Sequence, residues 1–226
     1  MKTKPAVYTL LNIFLAAATV VGGVLYFTVH TLTIKAFASL SFVLLGAVNL
    51  RACNAVGGKQ RTYAVLMVIG LFVAMLADIV LEIVFAAGAG LFAVGHIFYF
   101  AAYCQLSRFR VADLIPCGLI FLFAAGLILL VPALDFGGNF MRNVCLGYAL
   151  ILGAMLGKAF ANCRREPGGL NKIILLGSFL FFFSDLMLLF GQFSDAPRLI
   201  SGLCVNTYYP GQAVLGLSLL RAARSE

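Results

Sequence analysis

Long apolar segments separated by short polar breaks dominate the pattern along this chain of 226 residues. The segments fall at residues 6–29, 33–50, 63–87, 90–107, 111–131, 141–162, 170–191 and 199–220. Each is close to the roughly 20 residues that a helix needs to cross the hydrocarbon core of a bilayer. Continuous apolar runs also favour helices over the alternating strands of a membrane barrel. The pattern therefore predicts an all-α polytopic membrane protein with about eight transmembrane helices, in one integral-membrane domain over residues 1-226.

The composition supports this class. Hydrophobic residues make up 63% of the chain and charged residues 11%, whereas soluble domains average about 45–50% apolar and about 25% charged residues. This excludes a soluble enzyme, a disordered tail and a disulfide scaffold. The cysteines form no CxxC pair, so we expect free thiols on mostly buried side chains. They are Cys53, Cys104, Cys117, Cys145, Cys163 and Cys204.

Basic residues are distributed unevenly between alternate loops. With a cytoplasmic N-terminus, 13 of the 16 Lys and Arg residues face the cytoplasm, including Lys2 and Lys4. Only Lys35, Arg142 and Arg198 fall on the outer side. The positive-inside rule therefore predicts that both termini are cytoplasmic and that the first run is an uncleaved helix. The net charge of +8 reflects this topology and gives no support for nucleic-acid binding. A bacterial inner membrane fits best, although an endoplasmic-reticulum protein would show the same asymmetry.

Two parts of the chain resemble each other at a separation of 107 residues. Identical residues pair without a gap as Gly70 with Gly177, Phe72 with Phe179, Asp78 with Asp185, Leu81 with Leu188 and Gly95 with Gly202. Two apolar segments can match by chance, but the register of two membrane-embedded acids favours duplication. The pattern predicts two parallel four-helix repeats over residues 1-107 and 108-226.

Ionisable side chains inside the predicted spans are candidate functional residues, because a charge in the bilayer is costly. Asp78 and Glu82 belong to the third predicted helix, His96 to the fourth and Asp185 to the seventh, with Lys35 near the start of the second. The helical rise places the acids and the imidazole at a similar depth, in the outer half of the membrane. We therefore expect a shared polar cavity.

Helical spacing adds further polar residues to the faces that carry these groups. The faces are Asp78 with Glu82, His96 with Tyr99 and Tyr103, and Tyr208 with Gln212. Structural roles stay open at this point, since Glu82 can extend to the interface and His96 can simply pack between helices. Either aspartate can also pair with Lys35 or a tyrosine. Three other acids are expected to be solvated at helix ends or in loops, namely Asp113, Asp135 and Asp195.

Several reaction classes lack the residues that they require. The chain has no GxSxG elbow, no phosphate-binding loop and only two histidines, His30 and His96. We therefore expect no metal and no cofactor. Two carboxyls in one buried cavity favour one protonated and one ionised acid. That pair suits hydrolysis of an acid-labile bond and equally suits a proton-coupled transporter of a small molecule or lipid, and a scaffold role is the third alternative.

At these residues the chain resembles the YhhN family of membrane proteins, which contains the lysoplasmalogenases. The resemblance is carried by ADIVL at 77–81, GHIFY at 95–99, SD at 184–185 and YYPGQ at 208–212. The family usually has Gly where Ala77 stands and a Lys-Pro pair where Lys35 and Ala36 stand. The second difference leaves the role of Lys35 open.

The resemblance implies a hydrolase that cleaves the vinyl-ether bond of a lysoplasmalogen or related lysophospholipid to a fatty aldehyde and a glycerophospho-base. It implies that Asp78 and Asp185 are the catalytic acid and base, in an order that it leaves undecided, and that His96 orients groups or relays a proton. The substrate-binding residues implied are Lys35, Glu82, Tyr99, Ser184, Tyr208, Tyr209 and Gln212. The expected partners are a lysophospholipid and the surrounding membrane lipids, with no nucleic acid.

Overall fold

A computed structural model of the protein describes residues 5–224. Within this range the chain is helical and contains no strand, and Lys2 and Lys4 lie outside the described residues. A short 3-10 helix, Val111–Asp113, precedes the fifth long helix. The long helices are α1 (Pro5–Val29), α2 (Leu32–Val56), α3 (Gly58–Leu81), α4 (Phe85–Leu106), α5 (Leu114–Leu130), α6 (Asn139–Arg165), α7 (Gly169–Phe193) and α8 (Arg198–Ala222).

Seven helices, α1 to α7, are long and apolar enough to cross a membrane. The eighth, α8, has 25 residues but carries polar side chains, among them Asn206, Tyr208, Gln212 and Ser218. Most of these are buried against other helices, where protein groups satisfy them instead of lipid. The fold is therefore that of a polytopic membrane protein, as the apolar segments predict.

The turn between α3 and α4 lies earlier than the sequence pattern predicts. The predicted third span runs through residue 87, whereas α3 ends at Leu81 and α4 begins at Phe85. Glu82 therefore follows α3 and is not part of it. The sequence gives little sign of this break, because the turn continues with the apolar residues Ile83 and Val84, which are 73% and 53% exposed. A turn at a membrane interface tolerates apolar side chains that a soluble loop would not.

Close pairs of neighbouring helices build the bundle: α1 with α2, α3 with α4, α5 with α6 and α7 with α8. Two contacts join the halves in a corresponding way, because α2 packs against α8 and α6 packs against α4. The functional side chains discussed below lie where α2, α3, α4, α6, α7 and α8 meet.

Two pairs of glycines make similar helix contacts in the two halves of the bundle, but the glycine of the last helix lies at a later position than the 107-residue spacing gives. A Cβ atom added at Gly70 would lie 3.2 Å from the carbonyl oxygen of Gly95, and one at Gly177 would lie 3.2 Å from that of Gly211. In these helix contacts Gly211 therefore takes the place that Gly95 has in the first half, whereas the ungapped sequence pairing joins Gly95 with Gly202. The shift arises because Gly177 lies farther from the end of α7 than Gly70 does from the end of α3, and Gly211 lies farther into α8 than Gly95 does into α4. Duplication itself stays a prediction.

A second pair of contacts follows the same relation. The Cys53 thiol of α2 donates to the carbonyl of Leu219 in α8 at 3.1 Å. The Asn162 amide of α6 donates to the carbonyl of Tyr103 in α4 at 2.9 Å. Each contact joins the second helix of one half to the fourth helix of the other, as parallel repeats require. All six cysteines lie within residues 5–224 and carry free thiols, as predicted.

Asp113 is buried, which contradicts the prediction that it is solvated. Its side chain is 1% exposed and accepts hydrogen bonds from Arg165 and, at 2.8 Å, from Lys158. Lys158 is fully buried and also donates to the Arg108 carbonyl at 3.2 Å, while Arg165 donates to Ser107 at 2.7 Å. The short 3-10 helix turns the carboxylate inward, so these cations neutralise it. We call Asp113, Lys158 and Arg165 the ionic cluster. The other two acids, Asp135 and Asp195, are exposed as predicted.

Gly157 allows α6 to pack directly against α5, and we expect Gly157→Ala to destabilise the protein by about 1–3 kcal/mol. A Cβ atom there would lie 2.5 Å from the backbone of Cys117, which cannot move aside as a side-chain tip can. The matched control is Gly147→Ala in the same helix, where a Cβ atom meets open space. Thermal unfolding in detergent should show a lower melting temperature for Gly157→Ala and an unchanged one for Gly147→Ala. Equal melting temperatures would contradict the close approach.

Candidate functional site

A cavity of about 360 Å³ opens at the end of the bundle where α1, α3 and α7 end and α8 begins. Asp78 from the first half and Asp185 from the second half both line it. The aspartates are 2% and 9% exposed, so each carboxyl lies at the inner end of the cavity and not on the surface. Seven of the ten predicted site residues line this cavity: Lys35, Asp78, Glu82, Ser184, Asp185, Tyr208 and Tyr209.

Asp78 accepts two hydrogen bonds on one carboxyl oxygen. The Ser39 hydroxyl donates to Oδ2 at 2.5 Å and the Tyr208 hydroxyl donates to the same atom at 2.9 Å. Ser39 comes from α2 and Tyr208 from α8, so the two donors hold the carboxyl from both halves of the bundle. Two hydroxyl donors on one oxygen are the arrangement that an ionised carboxylate takes.

A chain of hydrogen bonds fixes the direction of the Tyr208 proton. The Tyr99 hydroxyl donates to Gln212 Oε1 at 2.9 Å, which leaves the Gln212 amide nitrogen to donate to the Tyr208 oxygen at 3.3 Å. Tyr208 then donates its own proton to Asp78. Tyr99 and Gln212 are buried and do not line the cavity, to which they are linked through Tyr208. Their role as substrate-binding residues stays a prediction.

Asp185 has a different set of neighbours. The Tyr148 hydroxyl of α6 donates to its Oδ2 at 2.7 Å, and His96 Nε2 of α4 lies 3.7 Å from the same oxygen. Ser184, the preceding residue, is 1% exposed and lies 3.6 Å from the Cys204 thiol. The carboxyl therefore has one hydroxyl donor and one imidazole nitrogen beside it.

The backbone sets the tautomer of His96. Its Nδ1 lies 2.5 Å from the carbonyl oxygen of Phe92, and a carbonyl only accepts, so Nδ1 carries a proton. Nε2 is buried without a hydrogen-bond partner. In the neutral imidazole, Nε2 is an acceptor, and it faces Asp185. His96 lies behind Asp185, outside the cavity lining, where it can receive or return a proton.

The mouth of the cavity carries an ion pair. Lys35 donates to Glu82 Oε1 at 2.6 Å, and the Tyr26 hydroxyl donates to the same oxygen at 2.5 Å. Lys35 is 6% exposed although it is charged, and its ammonium lies 5.1 Å from the centre of the Tyr26 ring. Glu82 therefore does not simply extend into the interface. His30 also lines the mouth, in the loop between α1 and α2.

Sequence reasoning missed three groups that shape the site: Ser39, Tyr148 and Tyr26. Ser39 could have been found, because it follows Lys35 by one helical turn and so shares its face. Tyr148 lies on α6, where the half of the helix nearer the cavity contains no Asp, Glu or His that would draw attention to it. Among residues 5–224 no group of three His, Cys, Asp or Glu side chains is placed to hold a metal ion.

These features define a class of polytopic membrane protein that encloses two buried carboxyls, one from each half, in a cavity open at one end. Residues 30–219 match the sequence model of the YhhN family. Because this match covers most of the chain, the protein belongs to the YhhN family. Searches of curated proteins and of solved structures find no match.

Proposed function

We propose that the protein is an intramembrane hydrolase that cleaves the vinyl-ether bond of a lysoplasmalogen or a related lysophospholipid. The observation that carries this proposal is the convergence of Asp78 and Asp185 on one cavity. A vinyl ether hydrolyses by protonation of its β-carbon, which produces an oxocarbenium ion that water then attacks. The reaction therefore needs one protonated acid and one ionised carboxylate on the same substrate.

The hydrogen bonds favour Asp78 as the base and Asp185 as the acid. Asp78 receives protons from two hydroxyls, and the Gln212 amide fixes one of these in that direction. Asp185 faces the acceptor nitrogen of His96, and an ionised carboxylate beside that lone pair would be repelled. A proton on Asp185 or shared with His96 removes this repulsion.

The two acids then complete a balanced cycle. Asp185 transfers its proton to the β-carbon, and the resulting oxocarbenium ion is stabilised by the Asp78 carboxylate. Asp78 removes a proton from the attacking water, which gives a hemiacetal. Asp78 next protonates the leaving glycerol oxygen while Asp185 takes the proton of the hemiacetal hydroxyl. The C–O bond breaks, an aldehyde and an alcohol leave, and both acids return to their starting states.

Side chains next to the two acids and at the mouth of the cavity hold the acids and the substrate in place. His96 keeps the Asp185 proton at a defined position, and Tyr148 orients the same carboxyl. Lys35 at the mouth supplies a cation for the phosphate of a lysophospholipid, with Glu82 as its partner when the cavity is empty of substrate. No step in this cycle requires a metal or an organic cofactor.

We also propose that both termini are cytoplasmic, in a bacterial inner membrane, so that the cavity opens on the outer side. Exposed basic residues support this, because they gather at the end opposite the cavity, as Arg51, Lys59, Arg108, Arg164 and Lys172. A reporter fused to the C-terminus that is active only in the cytoplasm tests the orientation. Activity of a reporter that works only outside the cytoplasm would contradict it.

The test of the activity is aldehyde release from a lysoplasmalogen by detergent-purified protein, with a saturated alkyl-ether lysolipid as the matched control. We expect aldehyde from the vinyl ether and none from the alkyl ether, because the alkyl ether has no carbon–carbon double bond that an acid can protonate. Aldehyde from neither substrate, together with substrate-driven proton uptake in vesicles, would replace the hydrolase with a proton-coupled transporter that uses the same carboxyls.

Tyr208→Phe should lower kcat by about ten- to a hundredfold. The phenol donates to Asp78, and a hydrogen bond to a charged group contributes about 1.5–3 kcal/mol, of which each 1.4 kcal/mol corresponds to a factor of ten. Tyr63→Phe is the control, since the Tyr63 hydroxyl is buried in the same way but bonds Ser218, away from both acids. Steady-state kinetics on both folded variants check this. A similar fall in kcat in both variants would show that losing any buried tyrosine hydroxyl has this effect, and would contradict a specific role for Tyr208.

A further inference from the structure

A second cavity lies on the other side of Asp185. Its volume is about 60 Å³, and it is enclosed by α4, α5, α6 and α7. Apart from Asp185 and Tyr148, its walls are hydrocarbon and one thiol, including Ala124, Ile128, Cys145, Ala149 and Leu189. The two cavities share Asp185, Phe85, Phe92 and Leu188 as a common wall. Asp185 therefore stands between a cavity that holds charged and polar groups and one that is almost entirely apolar.

A groove on the surface of the bundle lies next to this apolar cavity along the same helices. The groove has a volume of about 720 Å³, runs between α5 and α7 over α6, and is apolar apart from Lys172 at one end. Its lining includes Phe123 and Phe182, whose ring centres are 6.4 Å apart. In the lining of the apolar cavity, Ala124 is the residue after Phe123, and Leu186 lies one helical turn after Phe182. The groove and the cavity therefore follow one another along α5, α6 and α7, and we call the two together the α5–α7 seam.

The groove lies where two helices of the second half, α6 and α7, are packed loosely against each other. Helices α6 and α7 contact each other less than their counterparts α2 and α3 do. The exposed side chains along the groove are large and apolar, with Leu119 63% and Phe179 53% exposed, as expected of a surface that faces hydrocarbon. The opening therefore lies towards the membrane interior, at the side of the bundle.

We propose that the α5–α7 seam binds the hydrocarbon chain of a single-chain lipid whose polar head occupies the 360 Å³ cavity. This inference rests on the proposed function. The chain enters sideways past Phe123 and Phe182, and the bond between chain and head group then lies at Asp185. In a vinyl ether the β-carbon is on the chain side of the oxygen, so the acid at the apolar boundary is the one that meets the carbon to be protonated.

The seam also selects the kind of lipid. The apolar cavity is narrow and is walled by small residues at Ala124 and Ala149, so it admits one unbranched chain. A lipid with two chains would find room in the apolar cavity for only one of them. Chain length should therefore affect the rate through contacts in the seam, independently of the head group.

Ala124→Leu tests the seam by filling it. A few methylene groups in an apolar pocket change kcat/KM by about tenfold or more. We expect at least about a tenfold fall in kcat/KM for a long-chain lysoplasmalogen, and a clearly smaller change for an alkenyl ether of only a few carbons. The control is Ala125→Leu, the same change at the next position of α5, which is buried but does not line the seam. Equal losses on long and short substrates, or in both variants, would overturn the proposal.

A second measurement is independent of turnover. Cys145 lines the apolar cavity, so an alkyl thiosulfonate should reach it through the seam, and a saturated alkyl-ether lysolipid should slow that labelling. Mass spectrometry can follow Cys53 and Cys163 in the same sample as internal controls, since neither lines the seam. Failure of the reagent to reach Cys145, or labelling that the lysolipid does not slow, would overturn the chain site. Protection of Cys145 without aldehyde release would keep the chain site and reject the hydrolase.

Discussion

Asp185→Asn is expected to lower the rate of aldehyde release by about 1000-fold, within the range that general acid catalysis contributes. An amide fills the same space and can still accept the hydrogen bond from Tyr148, but it cannot give a proton to carbon. The binding of the lysolipid should change little, because the seam and the mouth of the cavity are untouched. The loss should therefore appear in kcat and much less in KM.

The control for this prediction is Asp195→Asn, the same chemical change at an exposed loop residue ten positions away. Both variants should unfold at temperatures close to that of the unmodified protein, so that the rate compares folded molecules. Asp78→Asn should also lose turnover, since the reaction needs both carboxyls. Aldehyde release by folded Asp185→Asn at nearly the original rate would contradict its role as the acid.

Asp113→Ala is expected to destabilise the protein by about 3–5 kcal/mol, the cost of leaving a buried charge without its partner. Lys158 is fully buried and has Asp113 as its only carboxylate partner among the described residues. Arg165 is less affected, because 20% of its side chain is exposed and water can replace the lost carboxylate. The ionic cluster lies at the end of the bundle opposite the cavity, so the folded fraction should keep its turnover.

A double variant separates the charge effect from a packing effect. Lys158→Met added to Asp113→Ala removes the unpaired ammonium and fills its space with an apolar chain, which should restore much of the lost stability. Chemical unfolding in detergent gives the free energy of unfolding of the unmodified protein, of Asp113→Ala and of the double variant. If the double variant were no more stable than Asp113→Ala alone, the ion pair would not be the source of the loss.

Much of the site follows from the sequence because a membrane makes polar residues conspicuous. Asp78 and Asp185 stand out in apolar segments, since an intramembrane carboxyl is retained only where something stabilises it. Helical spacing then places Tyr208 and Gln212 on one face, and in the structure Tyr208 donates to Asp78 while Gln212 donates to Tyr208. The number of helices also follows, because bilayer thickness fixes the length of each span.

Other features depend on contacts between distant segments. The direction of the Tyr208 proton depends on Tyr99, which lies 113 positions before Gln212, and no local pattern encodes that contact. From the sequence, Asp113 is predicted to be a solvated residue at a helix end. Only the packing of α6 against the start of α5 shows that it is buried with Lys158 and Arg165. The sequence by itself determined which residues are polar within the membrane, because hydropathy is a property of single residues and their spacing. The tertiary structure decided which polar groups meet and where an apolar path reaches them, because those depend on how closely the helices pack.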